Sequence, residues 1–190
     1  MVSGSYKQLD KKQIDKIENW IGDGNTLITI AEGSSWAIKS KLINETLVKS
    51  ENDTTYIRKR YVDASEHIGR ERIGGVILNA DLDLTHPLAF GYHDKSIPVY
   101  KNNNVFINKT KDDYSSVATY SDEFHIDGYI SELNKKDFIP GSASLIVSKI
   151  GLGRAILFAD NPNFRGTWYG TNKLFLNAIF FGDNISIPSK

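Results

Sequence analysis

The feature that most constrains this fold is a short apolar strand between two helices, joined to the second helix by a glycine turn. Asp10 precedes the first helix as its N-cap, and Gln13 stands where it completes a capping box. Segment 26–31 is short, β-branched and uncharged, which predicts a buried strand. Segment 32–35 (Glu-Gly-Ser-Ser) predicts a tight turn into a serine-capped helix over 36–43. Helix, strand, glycine turn and helix in this order indicate a doubly wound α/β fold.

The rest of the chain supplies more strands and a closing helix. Strands are predicted at 74–82, 97–100, 104–107, 117–120, 142–150 and 154–159, and a helix at 173–181. The last two strands are joined by Gly151-Leu152-Gly153, which indicates an antiparallel β-hairpin near the C-terminus. The polar and charged segment 44–71 is predicted to run over the surface. We expect one α/β domain over residues 1–190, with a mostly parallel sheet apart from this hairpin.

Composition excludes several classes of function. The 190 residues carry 23 Lys+Arg against 23 Asp+Glu, and this zero net charge argues against a nucleic-acid-binding protein. No apolar run approaches the roughly 18–20 residues that a membrane-spanning helix needs. The chain has no Cys, which removes disulfides, thiolate metal sites and cysteine nucleophiles.

The four histidines do not form a recognisable zinc motif. They are scattered at 67, 86, 93 and 125, outside any His-x-x-Glu or His-Glu-x-x-His arrangement. His86 and His93 could still meet with Asp83 or Asp94 as a carboxylate ligand, but His86 before Pro87 favours a turn cap. We therefore expect no metal site in this chain.

Two other short motifs allow a structural and a catalytic interpretation. Ser34 and Ser35 lie on a strand-to-helix turn, where hydrolases expose a nucleophile, but no Gly-x-Ser-x-Gly pattern is present and a helix cap is favoured. A hydrolase that uses Ser34 or Ser35 with His86 is therefore the weakest hypothesis. Gly151-Leu152-Gly153-Arg154 joins two strands rather than opening a helix, so it indicates a turn and not a phosphate-binding loop.

Segment 161–170 (NPNFRGTWYG) is the most unusual stretch. Its aromatic, amide and guanidinium groups follow a strand, where they could line a ligand crevice of an α/β sheet. They could equally lock the last helix onto the sheet, with Arg165 as an anchor for carbonyl or carboxylate groups. The structural interpretation is favoured.

Two segments carry a family resemblance. DLTHPLAFGY at 83–92 and GRAILFADNPNFRGTWYGTNKLFLNA at 153–178 resemble the C-terminal domain of bacterial zinc carboxypeptidases of the carboxypeptidase A type. That domain is similar to class I glutamine amidotransferases, which implies a flavodoxin-like α/β sandwich. The start of the chain resembles the end of a later strand, which implies that the first strands are missing and that segment 26–31 has an exposed edge.

The resemblance also implies that catalysis has been lost. An amidotransferase needs Cys, His and Glu, but the nucleophile turn falls at Ala31-Glu32-Gly33-Ser34 and the His-Pro-Glu position near Asp160-Asn161-Pro162-Asn163. The implied function is a non-catalytic accessory domain of an exported zinc metallocarboxypeptidase, with zinc only in the separate peptidase domain. That domain is the implied partner, and a homodimer through the exposed sheet edge is an alternative association.

The second functional hypothesis is an independent peptide- or glycan-binding module that uses a crevice near Arg165, Trp168 and Tyr169. The candidate crevice residues are Glu32, Ser34, His86, Asn161, Asn163, Arg165, Trp168 and Tyr169. No catalytic residue is predicted.

Overall fold

The computed structural model describes residues 6–49, 60–63, 69, 72–112 and 114–186. Three α-helices are described: α1 (Lys11–Gly22), α2 (Glu32–Lys39) and α3 (Tyr169–Phe181). The strands are β1 (Thr26–Ile30), β2 (Val76–Leu82), β3 (Ser96–Lys101), β4 (Ile107–Asn108), β5 (Ser116–Gly128), β6 (Ser142–Ile150) and β7 (Gly153–Phe158). The predicted capping box of α1 is confirmed, because Asp10 Oδ1 accepts from the Gln13 amide at 2.8 Å and Gln13 Oε1 accepts from the Asp10 amide at 2.9 Å. Parts of the predicted surface segment 44–71 lie outside the described residues.

The described strands form one sheet in the order β1-β7-β6-β5-β2-β3, with β4 paired to β6. Strands β1 and β7 are parallel, in a register that places Ile28 beside Ile156. The other described pairings are antiparallel, including the β6–β7 hairpin predicted from Gly151-Leu152-Gly153.

The α/β class and the C-terminal hairpin are therefore confirmed, but the expected mostly parallel sheet is wrong. Parallel neighbours need a crossover of a dozen or more residues, usually through a helix. Between β2 and β7 the described chain contains only short helical turns, and neighbouring strands joined in this way pair antiparallel. The apolar segments of the sequence predicted that these strands exist, but they did not indicate whether neighbouring strands run parallel or antiparallel.

The sheet buries side chains on both faces. Successive residues of β7 alternate between two core clusters: Ile156 and Phe158 join the larger cluster, and Ala155 and Leu157 the other. Helix α3 packs on the larger cluster through Leu174 and Ala178, whereas α1 and α2 pack on the other through Ile21 and Ala37. This two-sided covering is the α/β sandwich expected from the sequence.

Strand β1 lies at one end of the strand order and pairs with β7 on one side only among the described strands. This is the sheet edge expected at segment 26–31. No helix in the described part of the chain is long and apolar enough to cross a membrane.

Candidate functional site

The turn from β1 into α2 has a strained backbone at Ala31. Its φ of 49° and ψ of −116° lie in a region that residues with a side chain rarely adopt. The Ala31 amide donates to the Phe158 carbonyl at 2.8 Å, and the Ala31 carbonyl accepts from the amides of Ser34 and Ser35. A strained strand-to-helix turn of this kind is the nucleophile elbow of hydrolases, in which the strained residue presents the reactive atom. Here that residue ends in a methyl group.

Ser34 was predicted as a helix cap and as a candidate crevice residue, and the structure gives it a different role. Helix α2 begins at Glu32, so Ser34 and Ser35 lie inside its first turn, and the N-cap position is Ala31, which makes no side-chain cap bond. The Ser34 hydroxyl is fully buried, donates to the Phe158 carbonyl at 2.8 Å and lies 2.9 Å from Thr29 Oγ1. It therefore ties the helix to the sheet and faces away from solvent. Glu32 is exposed beside the turn.

A buried polar network lies near the same end of the sheet, and its centre is Asp160. The Asp160 carboxylate accepts from Lys101 Nζ at 3.0 Å, from the Tyr120 hydroxyl at 2.9 and 2.8 Å, and from the Ser144 hydroxyl at 2.6 Å. Lys101 is 0% exposed and Asp160 is 5% exposed, so water screens the pair very little. Three strands separate β3 from β7 in the sheet order, and the contact between Lys101 and Asp160 shows that the sheet curls to bring them together.

Two features of the environment of Lys101 change its pKa in opposite directions. Burial lowers the pKa of Lys101, and the neighbouring Asp160 carboxylate partly opposes that effect. The ammonium also donates to the Val105 carbonyl at 2.6 Å and lies 4.6 Å from the centre of the Phe106 ring. Burial, followed by the charge of Asp160, raises the pKa of Tyr120 well above its usual value. Tyr120 therefore stays a neutral donor to the carboxylate at neutral pH.

Asn161 and Asn163 follow Asp160 and form a turn rather than a crevice lining. Asn161 Oδ1 accepts from the Asn163 amide at 3.0 Å, which closes an Asx turn. The Asn163 Oδ1 atom and the Asn103 Nδ2 atom are buried and have no hydrogen-bond partner among the residues that the structure describes.

The predicted aromatic crevice is only partly present. Trp168 Nε1 donates to the Pro98 carbonyl at 3.3 Å, and its ring centre lies 5.9 Å from that of Tyr100. Trp168 is therefore used to attach the start of α3 to β3. Tyr169 is 78% exposed and does not share this contact.

Arg165 is not the anchor that the sequence predicted. It is exposed, with a φ of 52°, and its guanidinium lies over the ring of its neighbour Phe164 at 5.2 Å. No hydrogen bond to carbonyl or carboxylate groups is found for Arg165 among the described residues. The left-handed backbone at Arg165 and Gly166 turns the side chain outward, which short-range sequence patterns did not indicate.

His86 lies at the other end of the sheet. Strand β2 runs antiparallel to β1. The residues that follow β2 therefore lie at the end of the sheet where β1 begins, whereas Ala31 and Ser34 lie at the end where β1 finishes. His86 Nδ1 accepts from the Leu88 amide at 3.1 Å, which confirms the predicted turn cap. Burial lowers the pKa of His86, with a smaller opposing effect from Asp83. The structure therefore does not bring His86 together with Ser34 or Ser35, as the hydrolase hypothesis required.

None of the four residues of the Asp160 network was among the candidate site residues predicted from the sequence: Lys101, Tyr120, Ser144 and Asp160 itself. Two signals were present: Lys101 ends an otherwise apolar strand, and Asp160 directly follows another. Within the described ranges, no group of three or more His, Asp or Glu side chains lies close enough to hold a metal ion.

No protein-family model matches the chain, and no curated protein matches it either. A cytoplasmic protein of Salmonella typhimurium is similar in structure, with a TM-score of 0.50 and 14% identity over 93% of this chain and 63% of that one. A protein of Thermoplasma acidophilum, named as one of the subunits of GMP synthase, has a TM-score of 0.48 and 14% identity, over 88% of this chain and 63% of that one. The PurLQS structure of Thermotoga maritima has a TM-score of 0.49 and 13% identity, over 90% of this chain and 66% of that one.

The chain thus spans a little under two thirds of the length of these three structures. At such low identity the likeness to the Salmonella protein concerns the fold alone, and it agrees with the α/β class expected above. None of the three is named as a peptidase, so the zinc carboxypeptidase context rests on the sequence resemblance.

Proposed function

We propose that this chain is a non-catalytic accessory domain that packs against, and helps to position, the peptidase domain of a zinc metallocarboxypeptidase. The observation that carries the non-catalytic part is Ala31, a methyl-bearing residue in the strained conformation of a nucleophile elbow.

The surroundings of Ala31 support the same conclusion. Covalent acyl transfer needs a nucleophile and a base within hydrogen-bond reach of it. The nearest hydroxyl on α2 that the sequence suggested, Ser34, is buried and donates to a carbonyl. Asp160, which begins the segment near which the resemblance places the family's His-Pro-Glu, accepts hydrogen bonds from three donors, one of which is a buried cation. Ser34 and Asp160 therefore stabilise the fold.

The accessory part of the proposal is supported by the resemblance of segments 83–92 and 153–178 and by the position of β1 at the end of the strand order among the described strands. Strand β1 contains no Pro and no charged residue, the usual features that protect an edge strand from pairing with another chain. We therefore expect another polypeptide segment to pair with or cover this edge. Zinc would be held by the peptidase domain and not by this chain.

One experiment tests the loss of chemistry directly. Because the chain has no Cys, Ala31→Cys introduces a single thiol at the elbow, and Leu152→Cys gives a matched exposed thiol on the β6–β7 turn. We expect iodoacetamide to alkylate both variants, and neither variant to release ammonia from glutamine. Ammonia release by Ala31→Cys above the Leu152→Cys level would show that a working base remains at the site and would overturn the proposal.

A second experiment tests the accessory role. The isolated chain is mixed with the catalytic domain of a bacterial zinc carboxypeptidase that lacks its own C-terminal domain, and binding is measured by calorimetry. We expect binding, with zinc by elemental analysis in the peptidase domain and none in this chain. Binding of peptides or glycans by the chain alone, weakened by Tyr169→Ala, would favour the binding-module alternative instead.

A further inference from the structure

Helix α3 is apolar on its outward face as well as on its buried face. Tyr169, Leu176, Ile179 and Phe180 are 78, 45, 53 and 72% exposed, and Phe90, next to the helix, is 68% exposed. Helical spacing places residues 169, 176 and 180 in one stripe, opposite the buried Leu174 and Ala178. We call these five exposed side chains the α3 patch.

The α3 patch is organised by contacts beneath it. The Phe90 ring packs edge-on against Phe181 at 5.5 Å, and Asn177 Nδ2 donates to the carbonyls of Leu88 and Phe90 at 2.8 and 2.9 Å. These bonds hold the Phe90 loop beside the helix.

The size of the α3 patch suits a protein interface. Large apolar side chains offer roughly 150–250 Å² each, so the exposed fractions correspond to about 500 Å² of apolar surface. That area is at the upper end of what monomers leave exposed. It is also close to the apolar share of one side of a standard interface, which buries about 800 Å² per partner.

Opposite charges stand at the two ends of the α3 patch. Lys173 is near the start of the helix, where its ammonium donates to the Gly91 carbonyl at 2.8 Å and lies over the Tyr92 ring at 5.3 Å. Asp183 follows the end of the helix, where its carboxylate accepts from Thr26 Oγ1 at 2.7 Å. Both side chains are exposed, and each retains hydrogen-bonding capacity for another partner.

We propose that the α3 patch is the interface of a two-fold dimer, in which the α3 helices of two copies of this chain pack antiparallel. A two-fold interface brings the same surface of both copies together, so the surface must complement itself. Antiparallel pairing places Leu176 near Phe180 of the second copy and Lys173 near Asp183 of the second copy. It also sets the helix dipoles in opposite directions. Parallel pairing would place Lys173 against Lys173 and is disfavoured.

The first test compares self-association of three forms of the full chain by sedimentation equilibrium over a wide concentration range. Phe180→Glu places a charge in the centre of the patch, and Trp20→Glu places the same charge on α1, which packs on the other face of the sheet, at a side chain that is 48% exposed. We expect the wild type and Trp20→Glu to dimerise equally and Phe180→Glu to raise the dissociation constant at least about tenfold. A wild type that stays monomeric, or a dimer that Phe180→Glu leaves intact, would overturn the proposal.

The second test distinguishes a second copy from other occupants. We expect Lys173→Asp and Asp183→Lys each to weaken the dimer, and the double variant to restore it, because the charge pair is then exchanged within the same antiparallel geometry. Thermal unfolding of each variant verifies that it folds. Folded single variants that dimerise like the wild type, or a folded double variant without recovery, would contradict the antiparallel arrangement. The outcome does not depend on whether the chain serves a peptidase.

Discussion

Single residues at the carboxyl ends of β1, β3 and β7 form a strained turn and a buried polar network. Ala31 keeps the strained turn that elsewhere presents a nucleophile, and Asp160 is held by the buried cation of Lys101 and by two hydroxyl groups. A buried ion pair contributes little net stability compared with well-packed apolar residues, but the loss of one partner is costly because the other charge stays buried. Removal of one charge of the pair should therefore lower the free energy of unfolding more than removal of both charges.

We expect Asp160→Ala to lower the free energy of unfolding by roughly 3–5 kcal/mol, because it leaves Lys101 buried and without its counter-charge. The double variant Lys101→Met/Asp160→Asn should lose less than Asp160→Ala alone. Glu132→Ala is the control, because its ion pair with Lys135 is at the surface and is worth at most about 1 kcal/mol. Denaturant unfolding measures all of these changes. A loss with Asp160→Ala no larger than with Glu132→Ala would show that the network does not stabilise the fold.

His86 makes stability depend on pH. Its pKa in the folded chain is lowered from 6.5 by burial, so as the pH falls the unfolded chain binds a proton that the folded chain does not. Stability from His86 is therefore present above pH 6.5 and is lost as the pH falls towards the folded pKa. His86→Asn keeps a side-chain acceptor at the cap but does not titrate. The wild type should lose melting temperature relative to His86→Asn between about pH 8 and about pH 5. An equal difference at both pH values would contradict this assignment.

At the scale of elements, the β6–β7 hairpin and the end of α1 are joined backbone to backbone. The Leu152 amide donates to the Gly22 carbonyl at 2.9 Å, and the Arg154 amide donates to the Asn25 carbonyl at 3.1 Å. Gly153 permits this approach, because a Cβ atom there would overlap the carbonyl oxygens of Ile21 and Asn25. This contact attaches the end of α1 to the end of the sheet that lies opposite the turn at Ala31.

Gly153→Ala should therefore destabilise the chain by at least about 2 kcal/mol, since the backbone of two elements has to move apart. Gly74→Ala is the matched control, because a Cβ atom at Gly74 has no neighbour within 4 Å. Comparison of the two melting temperatures measures the difference. If both substitutions shift the melting temperature equally, the close backbone contact at Gly153 does not contribute to the free energy of unfolding.

At the scale of the whole molecule, one sheet joins two cores. Adjacent residues of β7 point to opposite faces, so Ile156 and Leu157 belong to different clusters although they are neighbours in sequence. Neither cluster can lose its strands without exposing the other. The molecule should therefore unfold as one cooperative unit.

Ile156→Ala and Leu157→Ala should each lower the free energy of unfolding by about 2–5 kcal/mol, because both side chains are fully buried. Each variant should still unfold in a single transition, with the same midpoint by circular dichroism and by tryptophan fluorescence. Leu152→Ala, at an exposed side chain, should leave the midpoint nearly unchanged. Two separate transitions in either core variant would show that the two faces unfold independently.

The sequence by itself determined the local features of this protein. The capping box of Asp10 and Gln13, the strand at 26–30, the hairpin at 151–153 and the His86 cap depend on residues a few positions apart, whose contacts follow directly from chain geometry. The same local patterns were sufficient for the α/β class.

Only the tertiary structure decided the strand directions and the polar network. Lys101 and Asp160 are 59 residues apart and meet because the sheet curls, whereas Ser34, which local patterns marked as a helix cap, was turned inward by the strained backbone at Ala31. Arg165, marked as an anchor, was turned outward by its left-handed backbone. Contacts between residues that are distant in sequence depend on how all the strands pair. Hydrophobic periodicity indicates which side chains share a face of a strand, but it does not indicate the order or the direction of the strands in the sheet.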